Sequence, residues 1–127
     1  MTTNLIPDWR NDERYGTHPY EMIGDVQWGY ADYEFDLTAV FQHKPTGRLF
    51  LAHDSGCSCP IPFEDMTEED ATEITRLYDF DRIVQERLEL LKEESDWRGG
   101  PEAVAATVDQ IASLRNVVEK ALKENND

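Results

Sequence analysis

Hydrophobic and polar positions change rhythm once along this chain. Tyr33, Phe35, Leu37, Ala39 and Phe41 alternate with Glu34, Asp36, Thr38 and Gln42, the period of two expected of a strand with one apolar face. Lys44-Pro45-Thr46-Gly47 follows, where proline presets φ and glycine accepts a positive φ, so a turn is predicted. Arg48 to His53 then reads as the return strand of a hairpin over about residues 32–54. A type I turn closed by a glycine bulge places Phe41 opposite Leu51 and Ala39 opposite His53. Two strands make no stable sheet alone. Met22 to Tyr30, irregular at Gly24 and Gly29, is the predicted source of a further strand. The opening stretch through Pro19 reads as loop.

Beyond residue 66 the rhythm becomes helical. Thr67-Glu68-Glu69-Asp70 has the form of a helix start, because a threonine hydroxyl accepts from a free backbone N–H and acids suit the positive end of the helix dipole. Ile74, Leu77, Ile83, Val84, Leu88 and Leu91 continue at spacings near three and four, with a possible break at Asp79, itself a good N-cap. Gly99-Gly100-Pro101 ends this segment and opens the next. From Pro101 to about Lys123, a stripe of Val104, Val108, Ile111, Leu114, Val118 and Leu122 marks one helix face. A short link between two amphipathic helices predicts an antiparallel helical hairpin. The expected fold is therefore one α+β domain over residues 1–127, with 1–63 mainly β and 67–124 mainly α, including two or three helices.

Charge narrows the function classes. The 127 residues carry 27 acids against 12 Lys and Arg, a formal charge of −15. Such an excess disfavours unaided binding to nucleic acid or to an anionic membrane surface, since both require clustered cations. No apolar run approaches the ~20 residues that span a bilayer, and Met1 to Arg10 lack a signal-like apolar region. The expectation is a soluble intracellular protein. The charge is uneven: residues 61–100 hold thirteen acids and five bases. Glu64, Asp65, Glu68, Glu69, Asp70 and Glu73 lie close together without an intervening Lys or Arg, and form the candidate interaction surface. Carboxylates arrayed on one face could imitate a DNA backbone and occupy the basic cleft of a nucleic-acid-binding protein; the alternative is a solvated face that also starts a helix.

Reactive side chains crowd together in His53-Asp54-Ser55-Gly56-Cys57-Ser58-Cys59-Pro60. His53, Cys57 and Cys59 are ligand types that zinc prefers, and His18 or Asp54 could complete a set of four. However, one residue between the cysteines is fewer than structural zinc sites commonly use. A nucleophilic thiolate with His53 as base would want a nearby cation, and the surroundings are acidic. The third reading is structural: both cysteines reduced and buried, Pro60-Ile61-Pro62 crossing under the sheet, Phe63 as an anchor and His53 half-buried. No catalytic or cofactor-binding residue is assigned, and no cofactor is expected. Phosphate-cradling loops and hydrolase or metalloprotease motifs are lacking.

Trp28-Gly29-Tyr30-Ala31-Asp32-Tyr33-Glu34-Phe35-Asp36, followed by Ser55-Gly56-Cys57-Ser58-Cys59-Pro60-Ile61-Pro62-Phe63-Glu64-Asp65, resembles a family of small proteins of actinobacterial phages, marked by Gly-Cys-Ser-Cys-Pro-x-Pro-Phe-Glu after a β-hairpin. The resemblance spans about residues 26–65. It implies origin, a phage gene expressed in the host bacterial cytoplasm, and carries over no functional assignment. The lack of catalytic motifs and the high charge lead to an expectation of a non-enzymatic protein that binds a host or phage protein. The apolar stripe of the last helix offers a homodimer contact through the helical hairpin.

Overall fold

The computed structural model describes residues 3–6, 18–29, 34–57, 62–94 and 100–125. Four antiparallel strands form one sheet in sequence order: β1 (Tyr20–Gln27), β2 (Glu34–His43), β3 (Leu49–Cys57) and β4 (Thr72–Ile74). Two helices follow, α1 (Leu77–Glu93) and α2 (Gly100–Asn125). The fold is α+β, as the change of rhythm predicts. The helices run antiparallel, since Arg115 late in α2 meets Asp81 early in α1 at 2.8 Å.

The hairpin register differs from expectation by one residue. Ala39 faces Ala52 and Phe41 faces Phe50. All four residues 44–47 lie in the loop, because the His43 N–H donates to the Arg48 carbonyl at 2.8 Å and closes the ladder there. Gly47 ends the loop at φ 78°, and its N–H donates to the His43 carbonyl at 2.7 Å. A slip of one residue in pairing exchanges faces. It puts Phe41 beside Phe50 on one face and leaves Leu49 and Leu51 with Val40 on the other.

Both faces of the sheet are therefore covered, where alternation predicts one. Val26, Val40, Leu49, Leu51 and Ile74 pack beneath α1 and α2. Tyr20, Ala39, Phe41, Phe50 and Ala52 pack beneath a second lid, made of Leu5 and the segment that carries Phe63, Met66 and Ala71. Asn4 bridges to Thr67, which ties the two parts of that lid together. In β2 three successive residues, Ala39, Val40 and Phe41, are fully buried, the mark of a strand covered on both sides.

The acidic junction is also built differently. Thr67 does cap a helical turn, accepting from the Glu69 N–H at 3.3 Å while the Asp70 carboxylate accepts from the Thr67 N–H at 3.0 Å. That turn is a single 3-10 unit, Glu68–Asp70. Ala71 then extends the backbone, and Ile74 enters the sheet as part of β4 instead of a helix stripe. The long helix starts only at Leu77. Asp79 is not its N-cap but its third residue, reaching back to the Arg76 N–H at 3.2 Å. Burial acts to raise the Asp79 pKa, but hydrogen bonds from the Thr75 hydroxyl and the Arg76 N–H outweigh it and hold the carboxyl below its ordinary range.

The irregularity foreseen at Gly24 is a bulge between Met22 and Gly24. Gly24 lies under α2 so closely that a Cβ there would meet Leu114 Cδ1 at 2.6 Å. Leu114 is itself buried, so its methyl has little room to withdraw. Gly24→Ala is expected to cost about 1–3 kcal/mol through overpacking, and Gly24→Ala with Leu114→Ala to recover part of that in a double-mutant cycle followed by denaturant unfolding. Additive losses would show that Gly24 is set by something other than helix approach.

Candidate functional site

Two polar assemblies emerge, one on each side of the sheet. Beneath the helices, Asp36 and Thr38 of β2 share a face with His53 of β3, and α1 brings Arg87 over them. Trp28 Nε1 donates to Thr38 Oγ1 at 2.7 Å, and Thr38 Oγ1 lies 3.1 Å from His53 Nδ1. The other imidazole nitrogen, Nε2, lies 3.0 Å from Asp36 Oδ1 and 2.9 Å from the Arg87 guanidinium. Arginine has no acceptor and indole N–H can only donate. With Arg87 donating to Nε2, the ring must carry its proton on Nδ1 and give it to Thr38. With a proton on Nε2, the ring donates to Asp36 and Arg87 turns to the same carboxylate, 3.8 Å away.

The connectivity Thr–His–Asp has the order of a hydrolase triad, so its chemistry is worth testing against geometry. A nucleophilic hydroxyl must reach a substrate. Thr38 is 1% exposed, and its oxygen already takes the Trp28 N–H. This chain of groups ties β2, β3 and α1 together; it presents no nucleophile.

His53 is half-buried, as the structural reading of the His53–Pro60 segment expects, and both its nitrogens are engaged. Among the described residues, no group of three or more His, Cys, Asp or Glu has the arrangement to hold a metal ion. Cys57 ends β3, opposite Glu34 in the register. Cys59 lies outside the described residues. Phe63 is the anchor anticipated, 1% exposed and edge-on to Phe41 at 5.4 Å. His18 is buried and its Nε2 meets the Asn4 carbonyl at 2.9 Å, within the lid.

The second assembly is acidic. Glu64, Asp65 and Asp70 of the lid line one hollow together with Asp54 of β3, Phe35, Ser55 and Met66. The hollow has a volume of about 330 Å³ and, among the described residues, no Lys or Arg in its wall. It exists because Asp54 Oδ2 accepts from the Phe63 N–H at 2.9 Å, which pins the lid to the end of β3. The six candidate acids thus divide. Glu73 is committed to Arg48 at 2.6 Å, whose hydrogen bond holds its carboxyl below the ordinary range. Glu68 accepts from the Tyr20 hydroxyl at 2.6 Å; burial and that bond push the Tyr20 pKa up to about 12. Asp70 serves the Thr67 cap and also faces the hollow. Glu64 and Asp65 stand at the hollow, and Glu69 is exposed beside them.

Sequence reasoning did not gather Asp36, Thr38, Arg87 and Trp28 around His53. The available signal was the polar alternation of Asp36 and Thr38, which reads as solvent-facing if the sheet has one covered face. The apolar stripe on α2 is largely used internally: Leu114 and Val118 are buried and Val104, Ile111 and Leu122 pack against the core, while Val108 and Val117 are exposed. Ion pairs form on the helix surfaces, Glu89 with Lys92 at 3.6 Å and Glu119 with Lys123 at 3.2 Å. Among the described residues, no helix is long and apolar enough to cross a membrane.

Fold and sites together define a small α+β protein with a polar cluster beneath the helices and an acidic hollow on the opposite face. Residues 11–123 match the family described as Domain of unknown function (DUF7574), and the chain belongs to that family. No curated protein and no solved structure matches it.

Proposed function

We propose that this protein is a non-enzymatic phage protein that acts by binding a basic host or phage protein through the acidic lid, in the host bacterial cytoplasm. The observation that carries this reading is the convergence of Asp54, Glu64, Asp65 and Asp70 on one hollow that, among the described residues, is lined by no Lys or Arg. Carboxylates around a concave, partly apolar wall suit a Lys or Arg side chain, whose stem packs on Phe35 and Met66 while its head meets the acids. The burial of Thr38 supports a non-catalytic role for the triad-like chain. The phage assignment is supported by the resemblance carried by Gly56-Cys57-Ser58-Cys59-Pro60 and Pro62-Phe63-Glu64.

The test is capture from an actinobacterial lysate by the immobilised protein and by the variant Glu64→Lys/Asp65→Lys/Glu69→Lys, with capture quantified by mass spectrometry. These positions lie at the surface, so the variant is expected to fold. A basic protein should be retained by the wild type, released as salt shortens the Debye length, and captured about tenfold less by the variant. Equal capture by both proteins would remove the lid from the reading. A captured nucleic-acid-binding protein that DNA displaces would identify the partner as one held by backbone mimicry.

A further inference from the structure

We propose that the outer edge of β1, with the groove that α2 forms beside it, binds a short extended segment of a partner protein carrying Lys or Arg, added to the sheet as a strand. This surface shares no residue with the acidic hollow and does not depend on the reading of the lid.

The direction of each backbone group follows from the ladder. The Trp28 N–H donates to the Asp36 carbonyl at 2.8 Å, so Asp36, Thr38 and Val40 turn their backbone groups toward β1. Their partners Val26 and Gly24 point inward, and the alternate residues Gln27 and Asp25 point outward. Gln27 confirms this: its N–H donates to Gln110 Oε1 at 2.8 Å and its carbonyl accepts from the Thr107 hydroxyl at 3.2 Å. Helix α2 thereby closes one end of an edge that otherwise offers a template for pairing. It does not close the next outward position, Asp25, which has no such side-chain partner among the described residues.

Beside Asp25 lies a groove of about 340 Å³, walled by Gly24, Asp109, Gln110, Ser113 and Val117. Val117 is 39% exposed, and nearby on β1 Met22 is 42% exposed. A strand laid on Asp25 would direct alternate side chains to the two sides of the edge. The groove offers apolar surface at Val117 and a carboxylate at Asp109, Asp25 on the edge supplies a second acid, and among the described residues no Lys or Arg contributes to the wall. A cationic segment with interspersed apolar residues therefore matches both features. A second copy of the chain does not: it would bring Glu21 and Asp25 against Glu21 and Asp25 in a molecule of net charge −15. The bulge between Met22 and Gly24 interrupts the edge, so the added strand is short and charge contributes much of its hold.

The probe is a short synthetic peptide alternating Lys and Val, capped at both ends, titrated into the whole protein and followed by amide NMR and hydrogen exchange. Binding should perturb the amides of Asp25 and Met22 and slow exchange at Asp25. It should weaken about tenfold in Asp109→Lys and in Ser113→Trp, which fills the groove, and be lost for the peptide with Glu in place of Lys. Absence of binding, or perturbation centred on Glu64 and Asp65 with Asp25 unmoved, would overturn the proposal. So would protection of the Asp25 amide that grows with protein concentration without peptide, since the edge would then be taken by a second copy.

Discussion

Trp28→Ala is expected to destabilise the protein by about 3–5 kcal/mol, the range for deleting a fully buried large aromatic side chain. Trp28 is 1% exposed and is the largest fully buried side chain described. Its ring packs with Val26 and Val40 in the core beneath the helices. Two losses combine: the cavity, and the donor that holds Thr38 Oγ1 at 2.7 Å. The hydroxyl then keeps only His53, and the rotamer of the imidazole between Asp36 and Arg87 loses its outer support. Trp28→Phe separates the two contributions, since it retains most of the apolar volume and removes the N–H. It should cost about 1–2 kcal/mol, near the value of one buried hydrogen bond plus a small void. Guanidinium unfolding followed by far-ultraviolet circular dichroism measures both. A domain of this size is stable by only about 5–15 kcal/mol, so the alanine variant should unfold at clearly lower denaturant. A loss below about 1 kcal/mol would show that the indole is not a keystone of this face.

On the other face, Phe63→Ala is expected to cost about 3–5 kcal/mol, and Phe63→Gly to cost less than Phe63→Ala by about 1 kcal/mol. The order inverts the usual one because Phe63 has φ 66°, a left-handed backbone that strains any residue with a Cβ. Alanine would lose the ring and keep the strain; glycine would lose the ring and shed the strain. What holds phenylalanine there is its burial against Phe41 and the bond from its N–H to Asp54. The same residue positions Glu64 and Asp65, so the variants should also weaken capture by the acidic hollow at temperatures where the fold survives. Unfolding free energies for the three proteins decide the matter; Phe63→Gly falling below Phe63→Ala would mean that the backbone there is not strained in solution.

The legibility of the fold follows from the range of the interactions. Alternation over 33–42, the Pro45–Gly47 turn and the helical stripe of α2 are local properties, and each appears in the sequence as period or punctuation. The register is not local in that sense. Three-residue and four-residue loops suit Lys44-Pro45-Thr46-Gly47 almost equally, and the choice is decided by which faces of β3 must be buried. Val40 was the clue: an apolar residue set between Ala39 and Phe41 breaks alternation and signals cover on both sides. At Thr67 the cap was legible and its extent was not, since a capping box specifies where a turn starts and tertiary pairing specifies where it stops. Ile74 leaves the helical pattern because Leu49 offers it a place in the sheet.

The candidate site divides in the same way. The cluster of acids at residues 64–73 was visible in composition, but six acids in a row of ten positions are equivalent until the chain folds. Arg48 and Tyr20, distant in sequence, take Glu73 and Glu68, and Asp54 joins the rest from β3. His53 was visible as a histidine among cysteines; its partners Trp28, Asp36, Thr38 and Arg87 come from three other segments.

By itself, then, the sequence determined that this protein is an acidic α+β chain with a hairpin before a helical pair, because hydrophobic period, turn chemistry and net charge are properties of neighbouring residues. Only the tertiary structure decided that the sheet is covered on both faces, that the Thr38 hydroxyl of the Thr–His–Asp chain is buried, and that Asp54 meets Glu64, Asp65 and Asp70 at one hollow. Those outcomes depend on contacts between segments far apart in the chain, whose selection rests on which apolar surfaces must leave water together.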